Sequence, residues 1–160
     1  NKISSVNFSK DVDSGLIYNS IMTKIKIIEN DPKESSSRKF LNFGHTIGHA
    51  IESFLLNSDR EILHGEAILI GIILESYLSQ KLLNFDTQLP LKIKNYILKF
   101  SKQIDFSDED IKHIIGLLKY DKKNTSDKPL FVLLNEIGKP SYDNNASNKE
   151  IIEAFKFYAE

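Results

Sequence analysis

The sequence predicts a mainly α-helical protein with several helices and at most one small β-hairpin. Two observations carry this. Apolar residues recur at helical spacing in one segment after another, each bounded by capping residues, glycine or proline. Only one run, Leu130 to Leu134, is rich in strand-forming residues, and Gly138 and Pro140 follow it closely.

Taken in order, residues 1–13 are polar and mixed and read as a lead-in. From Ser14 to about Asn30, Ile17, Ile21, Ile25 and Ile28 form a helical stripe, with Ser14 placed to cap it. Asp31-Pro32 ends this helix, because a residue before proline avoids the helical region. After a connector, Ser36 or Ser37 can cap a second helix, Arg38 to Glu52, around which the chain is organised. Asn57 to Glu61 is a polar loop. The next helix, about Glu66 to Leu82, is apolar nearly all round and should be the buried centre. Pro90 suits the first turn of a helix running to about Lys102. Ser107 with Asp110 resembles a capping box for a helix bearing Ile111, Ile114, Ile115 and Leu118 and ending near Tyr120. Asp121 to Pro129 is loop. Asn148 can cap a last helix, with Ile151, Ile152, Phe155 and Tyr158 facing inward. Residues 14–160 thus read as one helical domain.

Composition bounds the function. The chain has 160 residues, 41% apolar and 27% charged, with a net charge of −1, which is ordinary for a globular domain. No basic run suggests nucleic acid, and no apolar run is long enough to span a bilayer. There is no cysteine, so disulfides and thiolate metal sites are excluded; this fits a reducing, cytoplasmic setting. The first residue is Asn1 rather than Met, and no secretory pattern precedes the helices. The chain reads as a piece of something longer.

The Arg38–Glu52 helix carries the strongest functional signal. Arg38, Asn42, His45, His49 and Glu52 fall within a wedge of roughly 80° on a helix. Phe40, Phe43, Ile47, Ile51 and Phe54 oppose them as core. Gly44 and Gly48 each cost roughly 1 kcal/mol in a helix interior. They call for close approach of another backbone or of a ligand. Histidines four apart on a helix can share a metal, and His64 offers a third nitrogen. A carboxylate for the set could come from Glu52, Glu66 or Glu34. Without cysteine the donor set suits zinc or another divalent metal. Lys24, Arg38, Lys119, Lys122 and Lys123 suggest an anionic substrate, a phosphate or carboxylate. His113 reads as a surface residue. There is no glycine-rich phosphate loop and no dinucleotide fingerprint.

Three blocks then become recognisable. Asn42-Phe43-Gly44-His45-Thr46-Ile47-Gly48-His49-Ala50-Ile51-Glu52 comes first, and Leu63-His64-Gly65-Glu66-Ala67 second. The third is Asp121-Lys122-Lys123-Asn124 with Phe131 to Leu134 and Ile137-Gly138. In this order they closely resemble the signature of 3-dehydroquinate synthases, over essentially the whole chain from Ser14. The resemblance implies the mostly helical C-terminal domain of such an enzyme, with the N-terminal NAD-binding domain absent from this chain. It implies conversion of 3-deoxy-D-arabino-heptulosonate 7-phosphate to 3-dehydroquinate and phosphate in the shikimate pathway, on the way to chorismate and the aromatic amino acids. The enzyme would be a zinc- or cobalt-dependent, NAD-dependent lyase.

Carried over by position, the resemblance makes His45 and His64 metal ligands and His49 a catalytic residue near the metal. Lys24 falls on a catalytic lysine position. Arg38, Asn42, Glu34 and Lys122 or Lys123 fall on substrate-binding positions. Glu52 thereby loses the role of carboxylate ligand. The family's third ligand is a glutamate in an EVIK-like motif upstream, which residues 1–13 lack. The isolated chain is therefore expected to be inactive and to hold zinc weakly. The expected partners are the sugar phosphate, the N-terminal domain and a second copy in a homodimer. The distance from His49 to His64 looks a few residues long, to be absorbed at Asn57–Glu61. Competing readings are another sugar-phosphate cyclase, an iron-type alcohol dehydrogenase domain, or a free-standing helical metal-binding module.

Overall fold

The computed structural model describes residues 13–56, 59–60, 62–118 and 129–160. Contacts group the chain into two compact units, Asn1–Leu41 and Asn42–Glu160. Among the described residues there are six α-helices, one 3-10 helix and one antiparallel hairpin. The mainly helical reading therefore holds.

In the first unit, α1 spans Ser14–Asn30. Its cap is Asp13, not Ser14: the Asp13 carboxylate accepts from the Gly15 amide at 2.8 Å, and Ser14 is already the first helical residue. The Ile17, Ile21 and Ile25 stripe has helical spacing as expected, yet all three residues are exposed. Asp31 ends α1, its amide donating to the Ile27 carbonyl at 3.1 Å. Its buried carboxylate then gathers the connector. It accepts from the amides of Ser35 (3.0 Å), Ser36 (2.7 Å) and Arg38 (3.0 Å), and from both serine hydroxyls. These donors hold the Asp31 carboxyl well below the usual carboxylate range, the Ser35 amide most strongly. The cap expected from Ser36 is therefore spent on Asp31, and a 3-10 helix begins at Ser37 and runs to Asn42.

The expected continuous Arg38–Glu52 helix is broken at Phe43-Gly44. Gly44 has φ 80°, which no continuing helix tolerates, and α2 starts afresh at His45 and ends at Leu55. Arg38 and Asn42 therefore belong to the 3-10 helix and not to α2. The cause lies in α3, His64–Leu83, the buried central helix of the second unit. Gly44, Gly48 and Gly71 let the two backbones cross closely. A Cβ on Gly71 would sit 1.9 Å from the Gly44 carbonyl oxygen, and one on Gly48 would meet Ala67 and Ile68 of α3 at 2.8–3.1 Å. Gly44 and Gly48 serve backbone approach.

α3 also packs against α4 (Leu89–Ile97), the hairpin strand β1 (Leu130–Glu136) and α6 (Asn148–Ala159). α5, Asp108–Leu118, covers α2 with Ile111, Ile114, Ile115 and Leu118. Its capping box forms as expected: Ser107 and Asp110 exchange amide-to-side-chain bonds at 3.0 and 3.2 Å. α4 stops at Ile97, short of Lys102, because the chain must turn so that Ile104 and Phe106 reach the core; the Ile104 amide donates to the Tyr158 hydroxyl at 3.0 Å. β1 pairs with β2, Lys139–Asn145, across a turn in which Gly138 adopts φ 83°. α6 is capped by Ser147 rather than Asn148, since Ser147 exchanges bonds with Glu150 at 2.7 and 3.3 Å. Ile47, Ile51, Leu55, Ile73, Leu74, Leu78, Ile114 and Ile151 are fully buried, each contributing roughly 1.5–3 kcal/mol.

Candidate metal centre

Two helix starts build the site. His45 is the first residue of α2, His49 lies one turn on, and His64 is the first residue of α3. The α2–α3 crossing brings the three rings together. Ring centroids are 5.3 Å apart for His45 and His49, 5.6 Å for His49 and His64, and 6.1 Å for His45 and His64. One ligand atom from each ring lies within 4.8 Å of the others, the spacing that a single ion can draw together. His49 and His64 are exposed and His45 is half-buried, so the cluster is open to solvent.

The donors fit a divalent metal in their tautomers as well. The Nδ1 of His45 is 3.1 Å from the Phe43 carbonyl oxygen, an acceptor only, so in the neutral ring that nitrogen carries the proton and Nε2 keeps its lone pair. The Nδ1 of His64 is 3.0 Å from Glu52 Oε2, with the same consequence. The carboxylates left open by the sequence each have a partner. Glu66 accepts from the Leu63 amide at 3.0 Å and caps α3. Glu34 pairs with Arg38 at 3.8 Å within the first unit. Glu52 reaches the back of His64. Among the described residues, the converging ligand atoms come from histidines.

A buried acid holds the centre's frame. Glu75, in the middle of α3 and fully buried, accepts from the amides of Gly44 (2.6 Å), Thr46 and Ile47 (3.2 Å). Gly44 has no side chain to cap α2, so an acid from the neighbouring helix does it. Burial pushes the Glu75 carboxyl up to about 8, against the pull of those three amides. Sequence reasoning passed over Glu75, although its signal was present: one acid inside Leu69-Ile70-Gly71-Ile72-Ile73-Leu74 and Tyr77-Leu78.

The model of the 3-dehydroquinate synthase C-terminal family matches residues 1–124 of this chain. The chain belongs to the 3-dehydroquinate synthase family. It is 38% identical over 147 residues to the 3-dehydroquinate synthase of Parabacteroides distasonis, covering 92% of this chain and 42% of that protein. It is 37% identical over 156 residues to the enzyme of that name from Dictyoglomus thermophilum, covering 98% and 43%. For Campylobacter jejuni serotype O:23/36 the figures are 33% over 147 residues, 91% and 41%. The chain thus spans about two fifths of the length of these curated relatives.

The remaining residues that the sequence singles out are distributed as follows. Lys24 is exposed on α1. Arg38 is in the 3-10 helix, where its Nη1 donates to the Pro32 carbonyl at 2.9 Å and its Nε lies 3.8 Å from Glu34. Glu34 itself has φ 54°. Asn42 is the last residue of the 3-10 helix. Lys119, Lys122 and Lys123 lie outside the described residues, as do Asn57, Ser58 and Glu61 of the loop expected to absorb extra length. His113 is on α5, beside Glu109 at 3.5 Å and Phe54. No described helix is long and apolar enough to cross a membrane.

Proposed function

We propose that this chain is the metal- and substrate-binding part of a 3-dehydroquinate synthase. The reaction would convert 3-deoxy-D-arabino-heptulosonate 7-phosphate to 3-dehydroquinate and phosphate, with NAD held mainly by an N-terminal domain of the same protein. The observation that carries this is the convergence of His45, His49 and His64, two of them with Nδ1 already committed to an acceptor.

In this reading Nε2 of His45 and of His64 would hold the ion, and an upstream glutamate would supply the third ligand. Zinc or cobalt held there would supply Lewis acidity, which makes a bound hydroxyl easier to deprotonate. His49, its ring 5.3 and 5.6 Å from its two neighbours by centroid, would hold or move a proton of substrate at a ring nitrogen. Arg38 offers a planar fork to the phosphate or the carboxylate, with Lys24 and Lys122 or Lys123 adding charge and Asn42 a neutral hydrogen-bonding partner. Glu34 orients the Arg38 fork through its ion pair. Elimination beside a ketone needs only modest proton transfer, which the leaving phosphate itself can help provide.

The chain alone should be inactive and bind zinc weakly. The test joins it to a dinucleotide-binding domain in one polypeptide and measures phosphate release. Arg38→Ala should cut turnover by about a hundredfold or more, the scale of losing a charged substrate clamp. Near-normal turnover in that variant would remove Arg38 from the substrate site.

A further inference from the structure

Glu52 lies on α2 three residues after His49 and seven after His45, so it shares their face. Its Oε2 crosses to α3 and meets Nδ1 of His64 at 3.0 Å. His64 needs such a partner more than the half-buried His45 does. It is the first residue of α3, and its side chain is 55% exposed. Among the described residues its ring contacts are with His45 and His49. A neutral imidazole in that position is free to rotate and to carry its proton on either nitrogen. His45 has its tautomer set by a backbone carbonyl, which no substitution at Phe43 removes. For His64 the corresponding acceptor is a side chain, and therefore replaceable.

We propose that Glu52 is a positioning residue for the metal centre, holding His64 with the proton on Nδ1 so that Nε2 is the ligating nitrogen. This rests on the reading of the cluster as a metal site. The carboxylate accepts from the ring nitrogen that is not the ligand atom, an arrangement that fixes ring orientation and raises ligand basicity. It also accounts for a carboxylate on the histidine face of α2 that is not among the converging ligand atoms. As an exposed ion pair alone the contact would add little to stability. Its effect is expected on the tautomer and on metal affinity.

The experiment uses the 160-residue chain with Glu52 as wild type, Gln and Ala. In metal-free protein at mildly alkaline pH, imidazole nitrogen NMR should show His64 protonated at Nδ1 in the wild type. It should show a tautomer mixture in Glu52→Ala, with Glu52→Gln, which keeps an oxygen acceptor, largely restored. Zinc affinity by chelator competition should fall about 10–100-fold in Glu52→Ala and less in Glu52→Gln. An unchanged tautomer and affinity in Glu52→Ala would reduce the contact to a surface pair and overturn the proposal. Equal losses in both variants, as large as in His64→Ala, would make Glu52 a direct ligand and also overturn it. Wild-type zinc affinity in His45→Ala would instead refute the metal reading itself, while the metal-free tautomer result would still report on Glu52.

Discussion

Replacing Glu75 with glutamine should remove a pH dependence of stability that the wild-type chain carries. The folded state holds the Glu75 proton up to about 8, whereas an unfolded glutamate releases it near 4.5. A carboxyl raised in this way stabilises the fold fully below its unfolded value. That contribution is lost as pH rises toward about 8 and is constant beyond. One differential proton is worth about 1.4 kcal/mol per pH unit, so the loss between about pH 5.5 and 7.5 is on the order of 2 kcal/mol. Glutamine keeps one oxygen acceptor but turns an amide NH2, a donor, toward the α2 amides. It should cost about 1–3 kcal/mol at low pH and leave a flatter profile. Alanine would orphan the buried amides of Gly44, Thr46 and Ile47, at about 1–3 kcal/mol each. Against a total stability of about 5–15 kcal/mol, that is enough to unfold much of the protein near neutrality. The assay is urea denaturation at a series of pH values, followed by far-UV circular dichroism. A Glu75→Gln profile parallel to wild type from pH 5 to 8 would refute a Glu75 carboxyl raised by burial against the pull of the α2 amides.

Other substitutions test the frame more simply. Gly71→Ala should destabilise by about 3 kcal/mol or more and weaken zinc binding with it, because its Cβ would lie 1.9 Å from the Gly44 carbonyl oxygen; thermal melts and chelator competition check both effects. Gly116→Ala on α5, where a Cβ meets nothing within 4 Å, should stabilise by about 0.5–1 kcal/mol and raise the melting temperature by a few degrees. Asp31→Asn should speed amide exchange at Ser35, Ser36 and Arg38. It should also remove a stabilising contribution that the wild type keeps above the ordinary carboxylate range and loses in strong acid, since the Asp31 carboxyl is depressed in the folded state.

Periodicity made much of this fold legible. The apolar series from Ala67 to Leu78 marked α3 as the centre, and Ser107 with Asp110 marked the start of α5, because burial and capping leave local traces. The helix from Arg38 to Glu52 was misread for the opposite reason. Its polar spacing is helical throughout, and what breaks it is non-local: the α3 backbone at Gly71 and the Glu75 carboxylate, distant in sequence from the glycine they act on. The caps shifted by one residue at Asp13 and Ser147, where adjacent polar residues compete and only backbone geometry chooses. At the site, histidine spacing singled out His45, His49 and His64. It could not assign the carboxylates, because Glu34, Glu52 and Glu66 differ in what they meet after folding, not in their chemistry.

The break at Gly44 has a chemical consequence. On an uninterrupted helix, His45 would sit mid-helix with its backbone carbonyl and amide both satisfied by neighbouring turns. Starting α2 at His45 instead frees the Phe43 carbonyl to accept from Nδ1, which selects the ligating nitrogen. Freeing that carbonyl requires the chain to turn back at Gly44, and the turn leaves the first α2 amides without helical partners. Glu75 satisfies them from below while His45 and His49 project on the solvent side. The same crossing brings the α3 N-terminus within reach of Glu52. Tautomer selection at His45, capping by Glu75 and orientation of His64 are therefore three results of one close α2–α3 approach, and Gly71→Ala should disturb all three together.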